Sequence, residues 1–186
     1  VRQTIVETAS ELFYAKGYNL TGINEIIKEA GIAKATLYSH FSSKEDICLA
    51  YLEYKDETFL QNLKDFLASQ DTGERQVFGL FDFLKEFFTE NDFNGCWCIN
   101  TVSEIPKENE RIRTLIQKQK NDFIRLIDGI VKDNLNGVVQ EENSDELAKK
   151  VYLLYESAIA ESHLHRMDWP ISAARELCGI LIEKNK

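Results

Sequence analysis

The stretch "GINEIIKEAGIAKATLYSHFSSKED", Gly22 to Asp46, limits what this chain can fold into more than any other. Three short apolar clusters are separated by a lone glycine and then by a pair of serines. Ile23, Ile26, Ile27 and Ala30 recur at helical spacing. Gly31 ends that helix in the left-handed conformation that glycine adopts at least cost. Ala33 to His40 then makes a second short helix, with Leu37 and Phe41 turned into the same small core. Thr21 is expected to cap the first of these helices. Ser42 and Glu45, at capping-box spacing, are expected to start the helix that follows.

Two helices meeting at such a corner leave Lys34, Ala35, Thr36, Ser39 and His40 facing away from the core. An α-helix fits the major groove of DNA, and these side chains are short enough to reach base edges there. Tyr38 offers a phenolic donor to phosphate. Lys44 lies in the first turn of the next helix, beside backbone amides that also attract phosphate. An ordinary helical hairpin with a solvated face would need only the apolar stripe. It would not need the glycine corner, Tyr38 and Lys44 as well.

Helical periodicity continues on both sides. Ile5, Ala9, Leu12 and Phe13 form a stripe that stops at Gly17. After the serines a helix runs to about Ser69, spanning roughly 39 Å. Gln76–Thr89 is crowded with Val77, Phe78, Leu80, Phe81, Phe83, Leu84, Phe87 and Phe88, which cover nearly its whole circumference and mark a central helix. "ENDFNG" breaks the chain, "CWCINTVSEI" makes a short helix ended by Pro106, and a long helix follows with Ile112, Ile116, Phe123, Ile127, Ile130 and Val131 on one side, stopping near "LNG". Asn143 and Glu146 are expected to cap the eighth helix. It carries two apolar stripes: Leu147, Val151, Leu154, Ala158, and Ala148, Tyr152, Tyr155, Ile159. One monomer core rarely covers both. The last helix follows Trp169-Pro170, with proline in a favourable first-turn position; its stripe is Ile171, Ala174, Leu177, Cys178, Leu181 and Ile182. With 2 Pro and 9 Gly among 186 residues and no strand pattern, the fold class is all-α.

The net charge is −9, which disfavours a general polyanion binder. The charge is uneven, however. Residues 1–44 hold five Lys/Arg against four acids, and no acid falls between Lys34 and Lys44. A small DNA-facing tip on an acidic body is a permissible layout. The chain has no apolar run long enough to span a bilayer and no basic-then-apolar leader. It opens on Val1 rather than Met, so further residues are expected before it. The four cysteines do not form a disulfide framework: Cys48 and Cys178 lie in apolar helical patterns, and Cys96 and Cys98 are too close for a loop-closing bridge. A soluble, cytoplasmic protein with no membrane partner is the expectation.

The pattern carried by Thr21, Ile26, Ala30, Gly31, Ile32, Lys34, Thr36, Leu37, Tyr38, His40, Phe41, Ser43, Lys44 and Glu45 resembles the TetR/AcrR family of bacterial repressors. "LFYAKGYNLT", Leu12 to Thr21, looks like that family's lead-in. The resemblance implies a nine-helix, two-domain regulator. Residues 1–47 would be the helix-turn-helix domain, and residues 48–186 a helical ligand-binding domain that also forms a homodimer through the eighth and ninth helices. It implies operator DNA and a small-molecule effector as partners, with repression as the default. By position, Lys34 and Ala35 would approach base edges, and Thr21, Thr36, Tyr38, His40 and Lys44 would meet phosphates. Two departures stand out. Ala33 occupies a place where a capping Ser or Thr is common, and Ile27 replaces a usual small Ala.

In the second domain the aromatic residues Phe78, Phe81, Phe88, Phe93, Trp97 and Phe123 can line a pocket for a hydrophobic or aromatic effector. Asn100, Glu104, Tyr152, Tyr155 and His163 are candidate polar anchors. Taken singly, each of these aromatics is better explained by plain core; it is as a group that they favour a pocket. Cys96 and Cys98 at a helix start suggest an alternative, a thiol-based redox or electrophile sensor. His163 and His165 fall on different helix faces and no third ligand is near, so no metal site is assigned. There is no phosphate loop, G-x-S-x-G or H-E-x-x-H motif, so no catalytic residue, cofactor or enzyme activity is assigned either.

Overall fold

The computed structural model describes residues 1–90, 93–139 and 143–185. Among these are nine α-helices and no β-strand: α1 (Arg2–Lys16), α2 (Ile23–Glu29), α3 (Lys34–His40), α4 (Lys44–Ala68), α5 (Glu74–Phe88), α6 (Trp97–Glu104), α7 (Glu110–Asn134), α8 (Ser144–His165) and α9 (Trp169–Lys184). Asn91 and Asp92, within the expected "ENDFNG" break, lie outside the described residues.

By packing the chain divides into two compact units. The first comprises Val1–Leu60 and Trp97–Lys118, the second Gln61–Cys96 and Gln119–Lys186. The 47/48 boundary read from the sequence falls inside α4. A tighter association therefore exists than a three-helix tip alone, since α6 and the start of α7 pack with α1–α3 and the first part of α4.

In the first unit Ile5, Val6, Ala9 and Phe13 of α1 form one core with Ile26, Leu37, Phe41, Ile47, Tyr51 and Leu52. The Phe13 and Tyr51 rings lie 5.4 Å apart. Polar contacts fasten α6 and α7 to this core. The Asn19 backbone N–H donates to Glu104 Oε2 at 2.6 Å, and its side-chain amide donates to the Glu104 carbonyl. Gly17 must be glycine because its φ of 88° strains any residue with a Cβ; the Glu104 carboxylate occupies the space a Cβ would take. Arg111 bridges Glu45 and Asp46 at 2.6 and 3.0 Å.

In the second unit α8 and α9 form an antiparallel pair against which α5 packs, burying Leu80, Phe81 and Leu84 with Val151, Tyr155, Cys178 and Ile182. Gly79 lets α5 approach Leu67 closely; a Cβ would stand 2.7 Å from that side chain.

Several local expectations are corrected. Thr21 does not cap α2. Gly22 is the N-cap, and the wholly buried Thr21 hydroxyl lies 2.8 Å from the Gly17 carbonyl and 3.2 Å from that of Leu12. The start of α4 is capped one residue later than expected. Ser43 Oγ accepts from the Asp46 amide at 3.1 Å and donates to its carboxylate at 2.9 Å, while Glu45 turns to Asn109 and Arg111. Asn143 is the N-cap of α8 but makes no side-chain capping bond. The two α8 stripes do not divide into an inner and an outer face. Leu147, Ala148, Val151, Tyr155, Ala158 and Ile159 are all buried, drawn from both, and the exposed large apolar residues are Leu153 and Leu164. On α9, Leu177 is 49% exposed rather than core.

Candidate nucleic-acid interface

α3 is seven residues long, and only Leu37 is fully buried. That single anchor fixes the rotation of the helix. Lys34, Ala35, Tyr38, Ser39 and His40 stand exposed and Thr36 is half-buried. The corner before α3 is made by Gly31 at φ 64°, where nothing crowds the absent Cβ. The glycine is therefore required by the backbone angle alone. Ala33 is the N-cap and offers no side-chain bond, in keeping with its departure from the usual Ser or Thr.

The exposed face carries the Lys34 ammonium, an imidazole and hydroxyls, without a carboxylate. Lys34 Nζ lies 6.0 Å above the Tyr38 ring. Ser39 donates its hydroxyl proton to the Thr36 carbonyl at 2.8 Å, which leaves its lone pairs outward. On α2, Glu25 pairs with Lys16 of α1 and is held below the usual carboxylate range by that contact, and Glu29 lies 3.9 Å from Lys28. Lys44 is half-buried, its ammonium 4.4 Å over the Tyr18 ring. Burial pulls its pKa down, and the neighbouring Cys48 and Glu104 push it back up.

Thr21 stands apart from the other sequence-derived candidates, because its hydroxyl is engaged inside the core. Two contributors escaped the sequence reading. Arg2 stacks its guanidinium 5.1 Å from the Phe41 ring, at the end of α3. Tyr18 supports Lys44. Both are tertiary contacts, and no local spacing announces them.

The second unit gathers only some of the candidate ligand residues. Tyr155 packs against Phe81 and Phe123, with centroids at 5.9 and 5.3 Å, and Phe123 also meets Tyr152. Burial pushes the Tyr155 hydroxyl pKa up, and that hydroxyl has no hydrogen-bond partner among the described residues. Beside it a mostly buried ion pair joins Lys120 to Glu156 at 2.6 Å, and Lys120 donates to Cys96 Sγ at 3.3 Å. Phe78 faces Arg175 and Gly179 of α9 instead. Phe88 joins a separate cluster with Phe93. Trp97 and Asn100 belong to the first unit, where Trp97 meets Phe59 edge-on.

The four cysteines form no disulfide. Burial pushes the Cys48 and Cys178 thiols up to about 12. Cys98 is also buried, and Cys96 is half-exposed. His165 pairs with Glu161 at 3.3 Å, and no metal-binding group of three exists among the described residues. No helix among them is long and apolar enough to cross a membrane.

Residues 5–51 match the family described as bacterial regulatory proteins, tetR family. The chain is 25% identical over 149 residues to the fatty acid metabolism regulator protein of Bacillus subtilis, covering 79% of this chain and 75% of that one. It is 26% identical over 190 residues to the uncharacterized HTH-type transcriptional regulator YxaF of the same organism, covering 98% and 95%. The crystal structure of a TetR-family transcriptional regulator from Streptomyces coelicolor superposes with a TM-score of 0.87 at 23% identity, covering 99% of this chain and 95% of that one.

Proposed function

Because this chain belongs to the tetR family of bacterial regulatory proteins and is a DNA-binding transcriptional regulator, we propose that it acts as a dimeric repressor released from its operator by a small hydrophobic or aromatic effector. The observation that carries the DNA-facing part is the acid-free outer face of α3: Lys34, Ala35, Tyr38, Ser39 and His40 exposed around the single buried anchor Leu37. Lys34 and Ala35 reach base edges. Thr36, Tyr38, His40 and Lys44 hold phosphates, and the buried Thr21 shapes the turn before α2.

The homodimer forms through the outer apolar faces of α8 and α9, where Leu153, Leu164, Leu177 and Ile180 are exposed. Two recognition helices in one dimer then read successive major grooves, roughly 34 Å apart, on a near-palindromic site. The effector binds among Phe81, Phe123, Tyr152 and Tyr155. It lowers operator affinity to the extent that it favours the spacing of α3 helices that DNA does not. α4 is the natural carrier of that bias, since one helix supplies residues to both units.

Selecting bound duplexes from random sequence tests the reading. A near-palindrome whose half-sites lie one helical turn apart is the expected product. Recovery of no enriched sequence would defeat it. A second reading, a thiol sensor, is favoured by one contact, the Lys120 ammonium 3.3 Å from Cys96 Sγ, which stabilises a thiolate. Alkylation of Cys96 that leaves operator affinity unchanged would remove it.

A further inference from the structure

We propose that the first unit keeps its phosphate-facing cations ready on aromatic rings: Tyr18 positions Lys44 for its phosphate, and Arg2, held on Phe41, is a further phosphate contact. The proposal rests on the DNA-facing reading given above. Residues 1–44 hold five Lys/Arg, and these divide into two kinds. Lys16 of α1 pairs with Glu25 of α2, and Lys28 lies 3.9 Å from Glu29. Arg2, Lys34 and Lys44 make no ion pair with any described residue, and each lies over a ring instead.

Lys44 Nζ stands 4.4 Å from the Tyr18 ring centroid, and the Arg2 guanidinium 5.1 Å from that of Phe41, both inside the range of a cation–π contact. Lys34, 6.0 Å from the Tyr38 centroid, lies at the edge of that range. The rings under Lys44 and Arg2 are themselves held. Phe41 is the C-cap of α3 and is 4% exposed. Tyr18 is half-buried and meets the ring of the core residue Phe13 at 5.6 Å. Neither belongs to the exposed face of α3.

The two kinds of partner have opposite consequences for a polyanion. A carboxylate cancels the charge that a phosphate would meet, and the cation must leave it before turning to DNA. A ring attracts the cation through its quadrupole but carries no net charge, so the full positive charge stays available. The ring also covers the methylenes of a long side chain and confines it before DNA arrives. Ordering a Lys or Arg opposes binding, and one already ordered opposes it less. Three elements contribute such cations: Arg2 comes from α1, Lys34 from α3 and Lys44 from the first turn of α4.

The test is fluorescence anisotropy of the full chain with two labelled duplexes, the one enriched by selection and one of random sequence, over a salt series. Tyr18→Leu should weaken both by about two- to fivefold, the worth of one exposed cation–π contact, with the salt slope unchanged because the Lys44 charge remains. Tyr18→Phe keeps the ring and should bind as wild type does. In a Lys44→Ala background Tyr18→Leu should add no further loss, since the ring acts through that ammonium. Arg2→Gln should lower the salt slope by about one, as a lost phosphate contact does. It changes an exposed side chain, so it tests the proposal even where Tyr18→Leu fails to fold. The proposal is overturned if Tyr18→Leu binds as wild type does, if Tyr18→Phe is as weak as Tyr18→Leu, or if the Tyr18→Leu loss is the same with and without Lys44. An unchanged slope in Arg2→Gln would overturn it equally. Enrichment of no duplex would defeat the DNA reading and this proposal with it, whereas normal wild-type binding alongside any of the other results defeats the ring-held cations alone.

Discussion

α3 and α8 are both helices with one face left uncovered, and the two uncovered faces are chemically opposite. On α3 the open face is Lys34, Ala35, Tyr38, Ser39 and His40, polar and without a carboxylate. On α8 it includes Leu153 and Leu164, 64% and 72% exposed, and α9 adds Leu177 and Ile180. Open polar surface is stable in water as it stands. Open leucine surface is not, and a row of such residues marks an interaction site. Each helix thus announces a different kind of partner: a polyanion whose contact is tuned by salt, and an apolar surface whose contact is not. A second copy of the chain is the simplest owner of that apolar surface, because a two-fold axis covers both copies at once.

The sharpest way to break this contrast is to put charge on the apolar face. In the proposed dimer Leu153→Asp would enter a symmetric interface twice, so the dimer dissociation constant should rise by at least about a hundredfold. Sedimentation velocity at micromolar concentration reads it, and a wild-type monomer would end the dimer reading at once. The polar face should respond more mildly and with a different signature. Lys34→Ala is expected to weaken operator binding by about 1–3 kcal/mol and to blur base preference. Lys44→Ala should weaken all sequences alike and lower the salt slope by about one, the share of a single phosphate neutralised. If Lys34→Ala were as uniform as Lys44→Ala, Lys34 would be a phosphate contact and not a base reader.

The same contrast explains which features are legible in the sequence. All nine helices follow from apolar periodicity and from Gly17, Gly31 and Pro106, because those signals are local. The outward face of α3 is legible too, since a helix with one core residue has little choice about which way it turns. Thr21 departs from expectation because its hydroxyl finds two carbonyls, those of Leu12 and Gly17, instead of a helix start. The α4 cap slips by one residue because Arg111 and Asn109 claim Glu45, leaving Ser43 to Asp46. On α8 either apolar stripe fits a 3.6-residue period, and only α5 and α9 decide which residues are covered. Of the proposed ligand residues, Phe81, Phe123, Tyr152 and Tyr155 converge, Phe78 turns to Arg175, Phe88 pairs with Phe93, and Trp97 and Asn100 fall in the first unit. Aromatic content says that rings will be buried; it does not say against which other ring.

A smaller effect tests whether the aromatic cluster of the second unit is built for packing alone. Tyr155→Phe keeps the ring contacts with Phe81 and Phe123 and removes a buried hydroxyl that has no partner among the described residues. Stability should rise by about 1 kcal/mol, read as an increase of a few degrees in the thermal midpoint. If the cluster also receives an effector, the same variant should lose response to hydrogen-bonding effectors. A fall in stability would mean that the hydroxyl is satisfied in solution.

The mildest test concerns how firmly the first unit holds α4. Ser43→Ala deletes the cap of that helix and should cost about 1 kcal/mol. The loss should depend on pH, because the Ser43 hydroxyl first and Arg111 second hold the Asp46 carboxyl below the usual range. A depressed carboxyl stabilises the fold above the unfolded aspartate value, about 3.9, and loses that contribution as pH falls through its own lower value. Wild type and Ser43→Ala should therefore differ most near neutrality and converge in acid. Melting curves from pH 7 down to about pH 3 check this. A gap between the two proteins that stays constant over that range would show that the Ser43 hydroxyl acts on the backbone amide of Asp46 alone, and that Arg111 by itself keeps the carboxylate charged.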